Sequence, residues 1–239
     1  MRRLLIATLS AAALLLPAAA APALAAAAAS AAQAPAQRDW TGNVVATPEG
    51  GFRMGNPDAR VKVIEYLSLT CPHCRDFART GVPSLIRNHV RSGRVSLEYR
   101  NFVLNPIDAT ASLLTRCAGA AHFFPMVDQL FATQDQWIER ISTFVERERD
   151  QLNALPMPQR LTRVAEQGGL TALAAQHGVP AAQARQCLGD EAGLNRLAEI
   201  YQSAAALGVE GTPTFLINGT RVNVNTWPEI EALIRQAGG

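Results

Sequence analysis

Lysine is nearly absent from this chain: Lys62 is the only one, and arginine supplies the remaining positive charge. No functional conclusion attaches to that choice. Net charge is equally thin. Lys plus Arg is 22 against 20 for Asp plus Glu, and Arg2 and Arg3 fall in a segment that reads as removable. Without those two the signs balance, so the basic pI belongs to the precursor and no basic patch is left to suggest nucleic acid. No second long hydrophobic run follows the N-terminus, so the pattern of a membrane-embedded protein is missing. Only four cysteines occur, and no second ligand pair with zinc spacing accompanies the one Cys-X-X-Cys. Neither a metal nor an organic cofactor is expected. No internal repeat is visible.

What is present begins with a leader. Arg2 and Arg3 form a basic head, Leu4 to Leu16 an apolar core, and Ala23-Leu24-Ala25 a small-residue cleavage site. That is the layout of a secretory signal peptide over 1–25. The rival is an uncleaved anchor, because apolar residues continue to Ala29. Pro17 interrupts that run, and its leucine-rich part is short for a bilayer. Residues 26–39, rich in Ala, Gln and Pro, offer no face to bury and read as a disordered tether. About two hundred residues remain, enough for one domain or a domain with an insertion.

Within them, Cys71-Pro72-His73-Cys74 places two thiols one helical turn apart directly after an apolar strand, Val61 to Leu69. Pro72 suits a first helical position, so Cys71 should sit where unpaired N–H groups and the positive end of a helix favour an anion. The pair therefore reads as a redox site rather than a crosslink. A helix is expected from Pro72 to about Arg91, bent at Pro83. An alternating strand follows over Val95 to Val103. Short β pieces at Val44-Val45 and Phe52-Arg53 flank a turn at Pro48-Glu49-Gly50-Gly51.

From Asp108 to about Leu207 the apolar spacing is helical, with breaks near Gly168-Gly169 and Gly178-Val179-Pro180. Glu146 to Asp150 reads as a solvated charge run. Strands return at Thr214–Asn218 and Arg221–Val224, joined by Asn218-Gly219, a hairpin signal. A last helix runs from about Trp227 to Gln236. The order is βαβ, then helices, then ββα, an α/β fold with its dithiol at the carboxyl end of a central strand.

With Glu65-Tyr66-Leu67-Ser68-Leu69-Thr70-Cys71-Pro72-His73-Cys74 and Gly211-Thr212-Pro213-Thr214-Phe215, the chain resembles the DsbA-type thiol:disulfide oxidoreductases of the thioredoxin superfamily. The helical block is similar in position and length to that family's insertion. The resemblance implies a thioredoxin fold whose first part covers 40–104 and second part 208–239, around an insertion at 105–207. It also implies a cis peptide bond at Thr212-Pro213 beside the dithiol, leaving the preceding backbone free to pair with an extended substrate segment. An ordinary trans turn is the alternative. Thr212 departs from the valine common before this proline in strong oxidants and is more familiar in isomerases and reductases. The dimeric isomerases carry a separate N-terminal domain, which the short segment before Val61 does not match, so a monomer is expected.

Cys71 is the expected nucleophile, an exposed thiolate favoured by the helix terminus and by donors from the intervening dipeptide. His73 is placed to stabilise it by hydrogen bonding or, if protonated, by Coulomb attraction. Cys74 is the expected buried partner. Glu65 shares a strand face with Val63 and Leu67, so its carboxyl should be hard to ionise and able to relay a proton. A partly solvated strand glutamate is the plainer alternative. Cys117 and Cys187 form the remaining pairing in an oxidising compartment and read as a structural disulfide, with free thiols or a second redox pair as rivals. His89, His122 and His177 read as structural or surface residues, and Phe123, Phe124 and Trp137 as insertion core.

The function this resemblance implies is a periplasmic enzyme that donates its disulfide to unfolded or reduced exported proteins and is reoxidised by a quinone-linked membrane partner. The alternatives are an isomerase or reductase, or a non-catalytic chaperone-like binding domain.

Overall fold

The computed structural model describes residues 38–239. The expected signal peptide and most of the expected tether lie outside the described residues. Six strands form one mixed sheet in the order β1-β2-β4-β3-β5-β6. They are β1 (Val44–Ala46), β2 (Phe52–Gly55), β3 (Val61–Leu67), β4 (Val95–Asn101), β5 (Thr214–Ile217) and β6 (Thr220–Val222). β3 and β4 are parallel, with Glu65 beside Tyr99; every other pairing is antiparallel. The two-residue loop between β5 and β6 has Asn218 and Gly219 at φ 50° and 81°, the paired positive angles of a type I′ hairpin. Lys62 is exposed near the start of β3, where its N–H donates to the Asn218 side chain over 2.8 Å.

The helix after the dithiol departs from expectation. Instead of one rod bent at Pro83, α1 (Pro72–Thr80) ends and α2 (Val82–Leu85) begins on either side of Gly81. Pro83 lacks an N–H and its ring crowds a carbonyl one turn back, so it sits most easily in the first turn of a new helix. The break therefore falls two residues before the proline. A side chain at Gly81 would meet the Phe77 ring 2.8 Å away. A π-helical turn, Ile86–Val90, continues the path, with the Arg91 N–H donating to Ile86 O over 2.9 Å.

β4 keeps the expected alternation over Val95–Asn101, and all seven of its residues are buried. Val95, Leu97 and Tyr99 join the main core, while Glu98 and Arg100 occupy the other face as a pair. Arg100 Nε donates to Glu98 Oε1 over 2.7 Å, and Thr47 Oγ1 donates to the same oxygen over 2.8 Å. Alternation persists in chemistry because both faces of a central strand are covered.

Eight helices lie between β4 and β5: α3 (Pro106–Cys117), α4 (Gly119–Ala132), α5 (Gln134–Arg147), α6 (Arg149–Asn153), α7 (Met157–Gln167), α8 (Leu170–Gln176), α9 (Ala181–Leu188) and α10 (Glu191–Ala206). Phe123, Phe124 and Trp137 are each at most 2% exposed and belong to the main core. Ile200 and Ala204 of α10 cover the second face with Tyr66, Phe102 and Leu216. A disulfide joins Cys117, at the end of α3, to Cys187 in α9. Of the histidines, His89 is buried against Glu231 and His122 is exposed. α11 (Trp227–Gln236) closes the chain against the main core through Ile230 and Ile234. Among the described residues no helix is long and apolar enough to cross a membrane.

Candidate active site

β3 ends in a tight loop that delivers Cys71 to the N-cap of α1, in extended conformation, with Pro72 at the first helical position. Three groups hold this loop from outside it, Asp108 and Gln134 buried and Asn105 half-buried. Asp108, in the first turn of α3, accepts the Leu69 N–H through Oδ1 over 2.9 Å and the Leu104 N–H through Oδ2 over 3.0 Å. Asn105 caps the same helix and donates to Thr70 Oγ1 over 2.9 Å. Gln134, at the start of α5, donates through Nε2 to Leu69 O at 2.9 Å and to Cys71 O at 3.0 Å. The helical insertion thus grips both ends of the loop. Burial pushes the Asp108 carboxyl up to about 6 against the pull of these donors.

The two sulfurs are both free thiols in this structure, and their environments differ sharply. The Cys71 thiol is brought down to about 5, first by a hydrogen bond from the Cys74 side chain and, against the cost of burial, by Thr212 and the N–H groups of Cys74 and His73. Cys71 Sγ approaches Thr212 O at 3.3 Å, and the Thr212 hydroxyl is buried without a partner of its own, leaving it available to a thiolate. Cys74 is fully buried, and burial pushes its thiol well up. Beneath them Glu65 is 1% exposed, and Oε2 has no hydrogen-bond partner. Burial, then the nearby Cys71 charge, raises its carboxyl well above the ordinary range. The Tyr99 hydroxyl, beside it in the sheet register, is likewise buried without a partner.

The Thr212-Pro213 bond is cis and packs against Cys71. This contact corrects the expectation of an exposed first thiol: Cys71 is only 6% exposed. His73 is corrected in part. Its side chain is exposed, and the donor it offers Cys71 is its backbone N–H rather than its ring. Cys71, Cys74, Glu65, Thr212 and Pro213 are thus brought together, whereas Cys117 and Cys187 are bonded to each other within the insertion. A groove of 430 Å³ opens beside the dithiol, lined by His73, Phe77, Pro213, Trp227 and Pro228 among others. Its side chains were not legible in the sequence. Asp108 had a signal, the helix-start pattern Asn105-Pro106-x-Asp108; Gln134 had none. Among the described residues no group of three or more His, Cys, Asp or Glu gathers to hold a metal.

Comparison with known proteins fits this geometry. The family model described as Thioredoxin matches residues 47–236. A Rickettsia bellii protein, provisionally named protein-disulfide oxidoreductase, is 28% identical over 79% of this chain and 65% of its own. The chain therefore spans less than two thirds of that relative's length. The protein-disulfide isomerase of Novosphingobium aromaticivorans is 30% identical with a TM-score of 0.70, over 77% of this chain and 97% of its own. Wolbachia pipientis alpha-DsbA1 shares the fold at a TM-score of 0.62 and 21% identity, over 78% of this chain and 90% of its own. The chain belongs to the thioredoxin family, and its fold is that of the DsbA-type proteins.

Proposed function

We propose that this chain is a periplasmic thiol:disulfide oxidoreductase that donates a Cys71–Cys74 disulfide to exported polypeptides. The observation that carries the reading is the asymmetry of the dithiol, with one acidic sulfur at a helix N-terminus and one suppressed sulfur over a buried carboxyl. Holding a thiol at about 5 rather than 9.0 stabilises the thiolate, and with it the reduced form, by about 3 kcal/mol at pH 7. For a two-electron couple that moves the potential by roughly 60 mV in the oxidising direction.

A substrate thiolate attacks Cys71 Sγ of the disulfide while its backbone pairs with the strand end at Thr212. The mixed disulfide forms as the bond to Cys74 breaks, and the Cys74 sulfur leaves with the electron pair. Glu65, kept protonated by burial, gives that sulfur its proton. A second substrate thiolate then attacks the substrate sulfur held at Cys71, and Cys71 departs as a thiolate. Two substrate thiols are oxidised and the protein gains two electrons. Of the two protons the substrate loses, one restores Glu65 and one goes to solvent. The leader sends the chain across the membrane, where it acts as a monomer and passes its electrons to a quinone-linked membrane partner.

Thr212 favours a second reading, an isomerase or reductase, and the Novosphingobium relative is named an isomerase. Equilibration with glutathione buffers decides the direction; a potential as reducing as that of thioredoxin overturns the oxidase reading. Refolding of reduced against scrambled test proteins separates oxidase from isomerase. Replacing Cys71 by serine should abolish turnover, and activity retained on refolding clients would instead indicate a binding domain.

A further inference from the structure

The face of α1 opposite the His73–Trp227 groove borders a larger cleft of 830 Å³, walled on the far side by α4 and the start of α5. Along the near wall, Arg75, Arg79, Arg87 and Arg91 recur at intervals of four, with Pro83 at the missing place. Beside that stripe runs a second one, Ala78, Val82 and Ile86, and Phe131 of α4 lines the same cleft. The two stripes exist together because α1, α2 and the π-helical turn follow one path, on which residues four apart stack along one side. Against the four guanidinium groups the cleft sets two carboxylates, Asp128 and Asp135.

We infer that this cleft receives an acidic, partly apolar segment of the client polypeptide whose thiols react at Cys71, an inference that rests on the proposed function. Charge complementarity selects the occupant: among the lining residues four guanidinium groups outnumber two carboxylates. Although Asp76 and Asp39 pair with Arg75, Arg79 and Arg91 from outside the lining, the cationic stripe beside apolar side chains favours carboxylates interspersed with apolar side chains. The existing pairs do not block it. Arg75 meets Asp135 at 2.6 Å, Arg79 meets Asp76 at 3.5 Å and Arg91 meets Asp39 at 3.2 Å. Each has at least one partner about half exposed or more, and such pairs are weak enough to be exchanged. Arg87 donates to the Ser84 hydroxyl and is ion-paired with no carboxylate among the described residues. The cleft also reaches the chemistry, because Gln134 lies at its end and bonds the carbonyl of Cys71. From Arg75 to Arg91 the path is about 24 Å at helical rise, the span of roughly seven extended residues.

The test uses the whole chain in its oxidised form and two synthetic cysteine peptides, one carrying a Glu/Leu segment beyond its cysteine and one with Gln in place of Glu. The rate at which each reduces the protein is measured, with dithiothreitol as a neutral control. The acidic peptide should react about tenfold faster at low salt. That preference should vanish at high salt and in the double variant Arg79→Glu, Arg87→Glu, while the dithiothreitol rate stays unchanged and shows that the variant is folded. Equal rates for the two peptides, or a preference that survives the double variant, would overturn the inference. Loss of binding to phosphatidylglycerol vesicles in the variant, without any peptide preference, would reassign the cleft to a membrane surface. If no peptide reacts and dithiothreitol alone does, the proposed function fails instead.

Discussion

The surroundings of Cys71 favour a charge that its own side chain does not, and the neighbours responsible can be tested one at a time. The Thr212 hydroxyl is the most separable, being buried, unpartnered and beside the sulfur. Thr212→Val keeps the shape and removes the donor, so the Cys71 thiol should rise by roughly one pH unit, read as thiolate absorbance in the ultraviolet. An unchanged titration would remove Thr212 from the set of donors. The same charge has a sign in folding. Because Cys71 is depressed from 9.0 to about 5, its contribution to the reduced protein is complete above pH 9 and lost as pH falls through 5. At pH 7 it is worth about 3 kcal/mol. Glu65 runs the other way, since its raised carboxyl favours the fold at low pH and loses that advantage as pH rises. Urea unfolding of reduced wild type and reduced Cys71→Ala should therefore converge near pH 5, and parallel curves from pH 5 to 9 would contradict the assignment. At this scale the sequence was informative about Cys71, Cys74, Glu65 and Pro213, because each belongs to a local motif or a strand face. It was silent on Gln134, which acts on the loop from 63 residues away in the chain.

Between elements, the helical insertion is a clamp as well as a cover. Gln134 bonds two carbonyls of the dithiol loop, so Gln134→Met, close in volume, should cost about 1 kcal/mol or more by leaving Leu69 O unpaired, while Cys71 O keeps the Arg75 N–H. Its signature beyond stability should be faster amide exchange confined to residues near Cys71. The insertion's own staple, Cys117–Cys187, closes 70 residues. Replacing both cysteines by serine should cost up to about 4 kcal/mol in the chain-entropy account while leaving the titration of Cys71 in place; calorimetry and absorbance together test both statements. The elements themselves were mostly readable, including α11 and the Asn218-Gly219 hairpin. The break at Gly81 was not. Proline marks the disturbance, but the helix gives way two residues earlier at Gly81, where the Phe77 ring leaves no room for a side chain. The buried Glu98–Arg100 pair was equally hidden, because alternation of polar and apolar residues does not say whether water or α10 lies above the polar face.

For the whole molecule, the order of strands and helices in the sequence already fixed which edge of the sheet the sulfurs occupy, since a parallel β3–β4 pair places the loop after β3 at the carboxyl ends. The near absence of lysine gives this arrangement a practical consequence. Lys62 lies exposed at one end of β3 and Cys71 follows the other, roughly 20 Å away at strand rise. An amine-reactive dye or resin therefore finds a single side-chain target on the pole remote from the sulfurs. Molecules immobilised through it would all present the same orientation, with the reacting face turned toward the liquid.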